Sequence, residues 1–201
     1  MTITSLTYPK TLINSCITSI ILASLVLSAY PASAATSRTS AAADFDGEVA
    51  GWIPWWQDTA GLKSASKNIK KLDTVYPFAF EVDAYGNITD KAGLGDKQWR
   101  DFIKLAKKNK VEIIPSVAWF DGDQIGAMLS DRNRRENHID QIVSIVKKGK
   151  YDGINIDYEG KNSENINDFS RFLEELKDEL GSKLLTCAIE ARTPAVDLYK
   201  V

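Results

Sequence analysis

From residue 48 onward, apolar and polar positions along the chain switch repeatedly between two periods. Glu48 to Trp56 reads as a strand bounded by Gly47 and Gln57-Asp58. Leu62, Ala65, Ile69 and Leu72 then recur at spacings of three and four, the signature of one face of a helix. Thr74 to Val82 predicts a second strand, closed by a turn at Asp83-Ala84-Tyr85-Gly86-Asn87. Trp99, Phe102, Ile103 and Ala106 form the stripe of a second helix, with lysines opposite. Val111 to Trp119 predicts a third strand whose unbroken apolar start fits burial on both faces. A short helical piece around Ile125, Met128 and Leu129 precedes a longer helix carrying Ile139, Ile142, Val143 and Val146, with Gly149 placed as its C-terminal cap. A fourth strand runs to Glu159, and the helix after it turns Ile166, Phe169, Phe172, Leu173, Leu176 and Leu180 inward and ends at Gly181. Lys183 to Glu190 predicts a fifth strand.

Strand and helix thus alternate four times before the fifth strand, a pattern that argues for parallel βαβ units with right-handed crossovers. The expected class is α/β. The chain matches the first five strands and four helices of a TIM (β/α)8 barrel, whose complete form takes about 250 residues. An open five-stranded sheet is the structural alternative.

The fourth strand carries the chemistry. In Ile154-Asn155-Ile156-Asp157-Tyr158-Glu159 the alternation puts Ile154, Ile156 and Tyr158 on one face and Asn155, Asp157 and Glu159 on the other. Three polar side chains in a row on an aliphatic strand cost a few kcal/mol each unless paired. Two carboxylates about 7 Å apart along the strand raise each other's pKa, a feature that clusters at functional sites. Glu159, at the strand end, is expected to hold a proton near neutrality, as a general acid must. Asp157, deeper, is expected to stay anionic or share that proton. Asp152, of opposite parity, reads as structural.

Asp152-Gly153-x-Asn155-x-Asp157-x-Glu159 resembles the fourth-strand signature of glycoside hydrolase family 18, in which an aspartate usually stands where Asn155 does. The spore-cortex and cell-wall branch is similar in carrying asparagine there. Gly51-Trp52-Ile53-Pro54-Trp55-Trp56 and Tyr76-Pro77-Phe78-Ala79-Phe80-Glu81-Val82-Asp83 fit that branch too. The resemblance covers residues 48–201 and implies a C-terminally incomplete catalytic barrel. Both carboxyl groups project from one strand, so they cannot flank a glycosidic bond in the usual way. The resemblance implies the substrate-assisted route, in which the sugar's own 2-acetamido oxygen attacks the anomeric carbon. Glu159 then protonates the leaving oxygen, Asp157 orients the acetamido group, and Asn155 hydrogen-bonds to Asp157 without being able to take its proton. The implied substrates are β-linked N-acetylglucosamine polymers, peptidoglycan or spore-cortex glycans ahead of chitin. A polar-lined barrel that binds glycan without cleaving it is the bland reading, against which the retained glutamate stands.

Composition bears on location and partners. An apolar run over residues 11–30 ends at Pro31 and Ala32-x-Ala34, which reads as a signal peptide over residues 1–34 cut after Ala34; an uncleaved anchor is the alternative. Residues 35–47, rich in Ala, Ser and Thr, read as a flexible spacer. Cleavage would remove Lys10 and no acidic residue, taking the net charge from −2 to −3. No basic excess points to nucleic acid or to a membrane surface. Of Cys16 and Cys187 only the second would survive, so no internal disulfide is expected. The expectation is a secreted or cell-wall-associated monomer. The single His138, among Arg134, Arg135 and Glu136, reads as part of a solvated face. With so few His and Cys, no zinc site or Ser-His-Asp triad can be built, and no cofactor or metal is implied. Trp56, Phe78 and Trp119, with Tyr158 of the motif strand, are the candidate substrate contacts, since sugar faces pack on aromatic rings. Glu81 and Glu190 also end strands, where contact with substrate hydroxyls is an alternative, but solvated charge is their default reading.

Overall fold

The computed structural model describes residues 47–189. The signal peptide, nearly all of the spacer and Glu190 lie outside the described residues. The strands are β1 (Ala50–Pro54), β2 (Thr74–Val82), β3 (Ile88–Asp90), β4 (Glu112–Ile113), β5 (Ser116–Trp119), β6 (Gly153–Tyr158) and β7 (Leu184–Cys187). The helices are α1 (Asp58–Lys67), α2 (Lys97–Lys108), α3 (Gly122–Ser130), α4 (Arg132–Gly149) and α5 (Ile166–Leu180). Parallel pairing runs β1-β2-β5-β6-β7, so each crossover returns to the next position in the row. Right-handed crossovers in that sequential order put every helix on one face of the sheet, as in a barrel wall and unlike a doubly wound sheet.

That face is the core. Ile53, Val75, Val117, Ile154, Ile156 and Tyr158 meet Trp99, Phe102, Ile142, Val146, Phe172 and Leu176 in one buried cluster. Each large side chain buried there contributes about 2–3 kcal/mol. The opposite face carries Trp52, Tyr76, Phe78, Ser116, Asn155, Asp157 and Thr186. The Tyr76 hydroxyl comes near the Thr186 hydroxyl, although β5 and β6 lie between their strands. A flat sheet would hold β2 and β7 about 14 Å apart, so this contact requires the sheet to curl toward its helix-free side.

Three departures from the sequence reading have local causes. The third strand is split, because Pro115 lacks an N–H and interrupts the ladder between β4 and β5. The turn after β2 returns as a short antiparallel partner, β3, its bend tied by the Asp83 carboxylate accepting from the Tyr85 and Asn87 N–H groups. Gly149 is the last helical residue of α4 rather than its cap. Lys150 takes the left-handed conformation, at φ 52°, and a Cβ on Gly149 would lie 2.0 Å from the Tyr151 ring. Gly181 caps α5 as expected.

The larger correction concerns the start of α4. Arg135 and His138 are buried, not solvated. Arg135 makes a two-pronged contact to Glu175 at 2.7 and 3.0 Å and donates to the Leu129 carbonyl at 2.6 Å. Counting back four from Ile139 and Ile142 puts both residues on the stripe that faces α5. Their charge hid a helical periodicity that continues to the first turn.

Candidate active site

The polar face of β6 is fixed by its neighbours. Asn155 pairs in register with Ser116 on one side and Thr186 on the other. Its amide nitrogen donates to the Ser116 hydroxyl at 2.9 Å, and its oxygen accepts from the Thr186 hydroxyl at 2.9 Å. With both ends satisfied, the buried amide carries no unpaired polar atom into the groove floor. One level nearer the C-terminal end, Glu81, Ala118 and Asp157 form a row across β2, β5 and β6. Asp157 is 9% exposed. Glu159 follows at the lip, half-buried, where its N–H extends the ladder by one bond to the Trp119 carbonyl at 2.8 Å. The alternation therefore brings Asn155, Asp157 and Glu159 to one face, in order of rising exposure. Asp152 caps the other end of the strand: its carboxylate accepts from the Ile113 N–H at 2.9 Å, a structural role.

The loop after Glu159 is held close. Gly160 has φ +71°, and a Cβ on Gly122, at the start of α3, would lie 1.9 Å from the Gly160 carbonyl oxygen. Only glycine lets these two backbones approach so tightly. Lys161 is buried, with its ammonium 4.8 Å from the centre of the Phe169 ring. Burial pushes the Cys187 thiol up; the Lys161 cation opposes that shift and the Asp157 anion adds to it.

The aromatic candidates separate by face. Phe78 shares the Asn155 row, and Trp56, 56% exposed, meets it edge-on at 5.6 Å. Trp52, missed in the sequence, stacks on Tyr76 at 5.0 Å and is equally open. Its signal was the parity of β1, which buries Ile53 and turns both neighbours away. Trp119 and Tyr158, by contrast, are not substrate contacts. Both are buried under the helices, edge to face at 5.7 Å, and Tyr158 stacks on Phe172. A strand residue one step from a carboxylate faces the other way, and that rule excludes them.

Behind the strand, His138 links Tyr158 to the β2–β3 turn. Its Nδ1 lies 3.2 Å from the Gly86 carbonyl and its Nε2 is 2.5 Å from the Tyr158 hydroxyl. A carbonyl can only accept, so Nδ1 carries the proton and Nε2 accepts from Tyr158. Burial lowers the His138 pKa to about 4, against the opposing pull of the Gly86 carbonyl, and raises the Tyr158 phenol well above its ordinary value. Among the described residues no group of three or more His, Cys, Asp and Glu is placed to hold a metal ion.

Comparison with known proteins bears on the fold and the family. A curated relative, an uncharacterized glycosylase, YvbX, from Bacillus subtilis, is 25% identical over 147 residues, which are 70% of this chain and 41% of the relative. The chain thus spans about two-fifths of that protein's length. The Bacillus cereus spore cortex-lytic enzyme SleL superposes with a TM-score of 0.60 at 16% identity, covering 70% of this chain and 34% of that one. A chitinase from Bacteroides thetaiotaomicron gives 0.62 at 24% identity, covering 72% and 47%. These likenesses carry the fold, a parallel α/β barrel wall. The match that decides the family is to the model of glycosyl hydrolases family 18 over residues 48–201, and the chain belongs to that family.

Proposed function

We propose that this chain is the catalytic part of a secreted glycoside hydrolase acting on β-linked N-acetylglucosamine glycans of the cell wall or spore cortex, or on chitin. The observation that supports it is the common face of Asp157 and Glu159 at the carboxyl end of β6, where barrel enzymes keep their reactive groups. In this reading Glu159, at the accessible lip, donates its proton to the glycosidic oxygen as the bond to the anomeric carbon breaks. The acetamido oxygen of the same sugar closes on that carbon from the opposite side, giving an oxazolinium ion. Asp157 receives the acetamido N–H and balances the positive charge that develops. Water, deprotonated by Glu159, then opens the ring and leaves the product with its original configuration. Asn155, tied to Ser116 and Thr186, holds the floor under Asp157 without titrating. Trp56 and Phe78 offer a ring face for the sugar.

The apolar run and small-residue site at residues 11–34 support export to the cell surface. The partner in this reading is a polysaccharide of N-acetylglucosamine, and the chain acts as a monomer without cofactor. Incubation with a chromogenic chito-oligosaccharide tests the activity: steady release of the aglycone is expected. Saturable binding with no release would instead make this face a glycan-binding surface.

A further inference from the structure

The β2 strand contains an irregularity whose effect is to turn a carboxylate into the groove. Phe78 pairs with Ser116 and Phe80 with Val117, so one residue of β2 is skipped between them. In a regular strand Phe78 and Glu81, three residues apart, would face opposite sides. The bulge brings both to the helix-free face and places Glu81 in the row of Ala118 and Asp157. Two strand spacings separate the Glu81 and Asp157 backbones, about 10 Å. Between them stands Ala118, itself covered at 1% exposed, so the two carboxylates flank a closed floor rather than a hole.

The Glu81 carboxylate is also aimed. One oxygen accepts from the Trp55 indole N–H at 3.1 Å, and the other lies 3.7 Å from the Lys91 ammonium. Lys91 in turn sits 5.5 Å from the centre of the Trp55 ring. A carboxylate offers about four acceptor positions, so these two contacts leave capacity on the groove side. The ion pair is long and partly exposed, and pairs of that kind contribute little.

We propose that Glu81 is a specificity-determining residue, accepting hydrogen bonds from the hydroxyls of the sugar ring bound beside Asp157 and disfavouring a ring that carries an anionic substituent. This rests on the glycan-hydrolase reading above and sharpens it: the groove takes an uncharged N-acetylglucosamine ring ahead of an N-acetylmuramic acid ring, whose lactyl ether bears a carboxylate.

The test compares binding of chitotriose with binding of the N-acetylglucosamine–N-acetylmuramic acid disaccharide, by calorimetry, for the unaltered chain, Glu81→Gln and Trp55→Phe. The unaltered chain is expected to prefer chitotriose. Glu81→Gln keeps the shape and removes the charge, so the preference should fall about tenfold, the size of a repulsion between two charges across a partly screened groove. Trp55→Phe frees the carboxylate from its indole partner and should move the ratio the same way by less. A merely structural role would weaken both ligands equally and leave the ratio where it was, and that result overturns the proposal while leaving the hydrolase reading intact. If the unaltered chain binds neither sugar, the hydrolase reading falls and this inference with it.

Discussion

Glu159→Gln should reduce cleavage of a chito-oligosaccharide by about a thousandfold while leaving its affinity within a few-fold of the unaltered value. Glutamine has the outline of glutamic acid and keeps a hydrogen-bonding tip, so the lip of the groove retains its shape. It cannot release a proton to a leaving alkoxide, and general acid catalysis at such a step is worth about 10²–10⁴ in rate. The loss should depend on the leaving group. A nitrophenolate departs with little protonation, so nitrophenyl glycosides should lose far less than oligosaccharides do. The same substitution at Asp157 should lack that distinction, because stabilising the acetamido-derived cation matters whichever group leaves. Equal losses on both substrates in Glu159→Gln would place the glutamate outside the proton-transfer step.

The second large effect is on stability in mild acid. His138 is fully buried, with a pKa of about 4 in the folded chain against about 6.5 for the exposed side chain. Below pH 6.5 the unfolded chain therefore takes up a proton that the folded chain refuses. Stability falls with pH through this window and levels off below about pH 4, by ~3 kcal/mol in all. The carboxylates of Asp83 and Glu175, held down by hydrogen bonds from Asn87 and Arg135, act in the same direction. Their contribution is present above about pH 4 and is lost below it, so the interval from 4 to 6.5 isolates the histidine. Urea unfolding at half-unit steps should show this slope, and His138→Gln should flatten it while lowering stability at pH 7. The cost at pH 7 arises because Tyr158 and the Gly86 carbonyl must find new partners in a closed core. An unchanged slope in that variant would mean another group carries the acid sensitivity.

These two expectations mark how far the sequence could be read. The carboxylate strand was legible because period-2 alternation with aliphatic residues on one side has few alternative meanings, and the β2 bounds, Thr74–Val82, followed from an apolar run closed by turn residues. The helices were legible from their apolar stripes. Trp119 and Tyr158 were misplaced because composition suggests sugar stacking, whereas a single step of parity decides the face. His138 and Arg135 were misplaced because charged neighbours masked a stripe that runs under α5. Glu81 was legible as a strand-end acid but its facing was not: the bulge that turns it inward is a property of how β2 registers against β5, and no local pattern announces it. The polar ties of Asn155 to Ser116 and Thr186 likewise join strands far apart in the chain and exist only once the sheet has formed.

The central claim is that the substrate's own acetamido group supplies the nucleophile, with Asp157 steadying it and Glu159 moving the proton. Two chito-oligosaccharides test this directly, identical except that the ring to be attacked carries either its N-acetyl group or a free amine. Proton NMR follows the anomer first released. The account predicts that the acetylated compound yields β-anomer at a measurable rate and that its deacetylated twin is cleaved at least a hundredfold more slowly. Comparable rates for the two, or initial release of α-anomer, would contradict it.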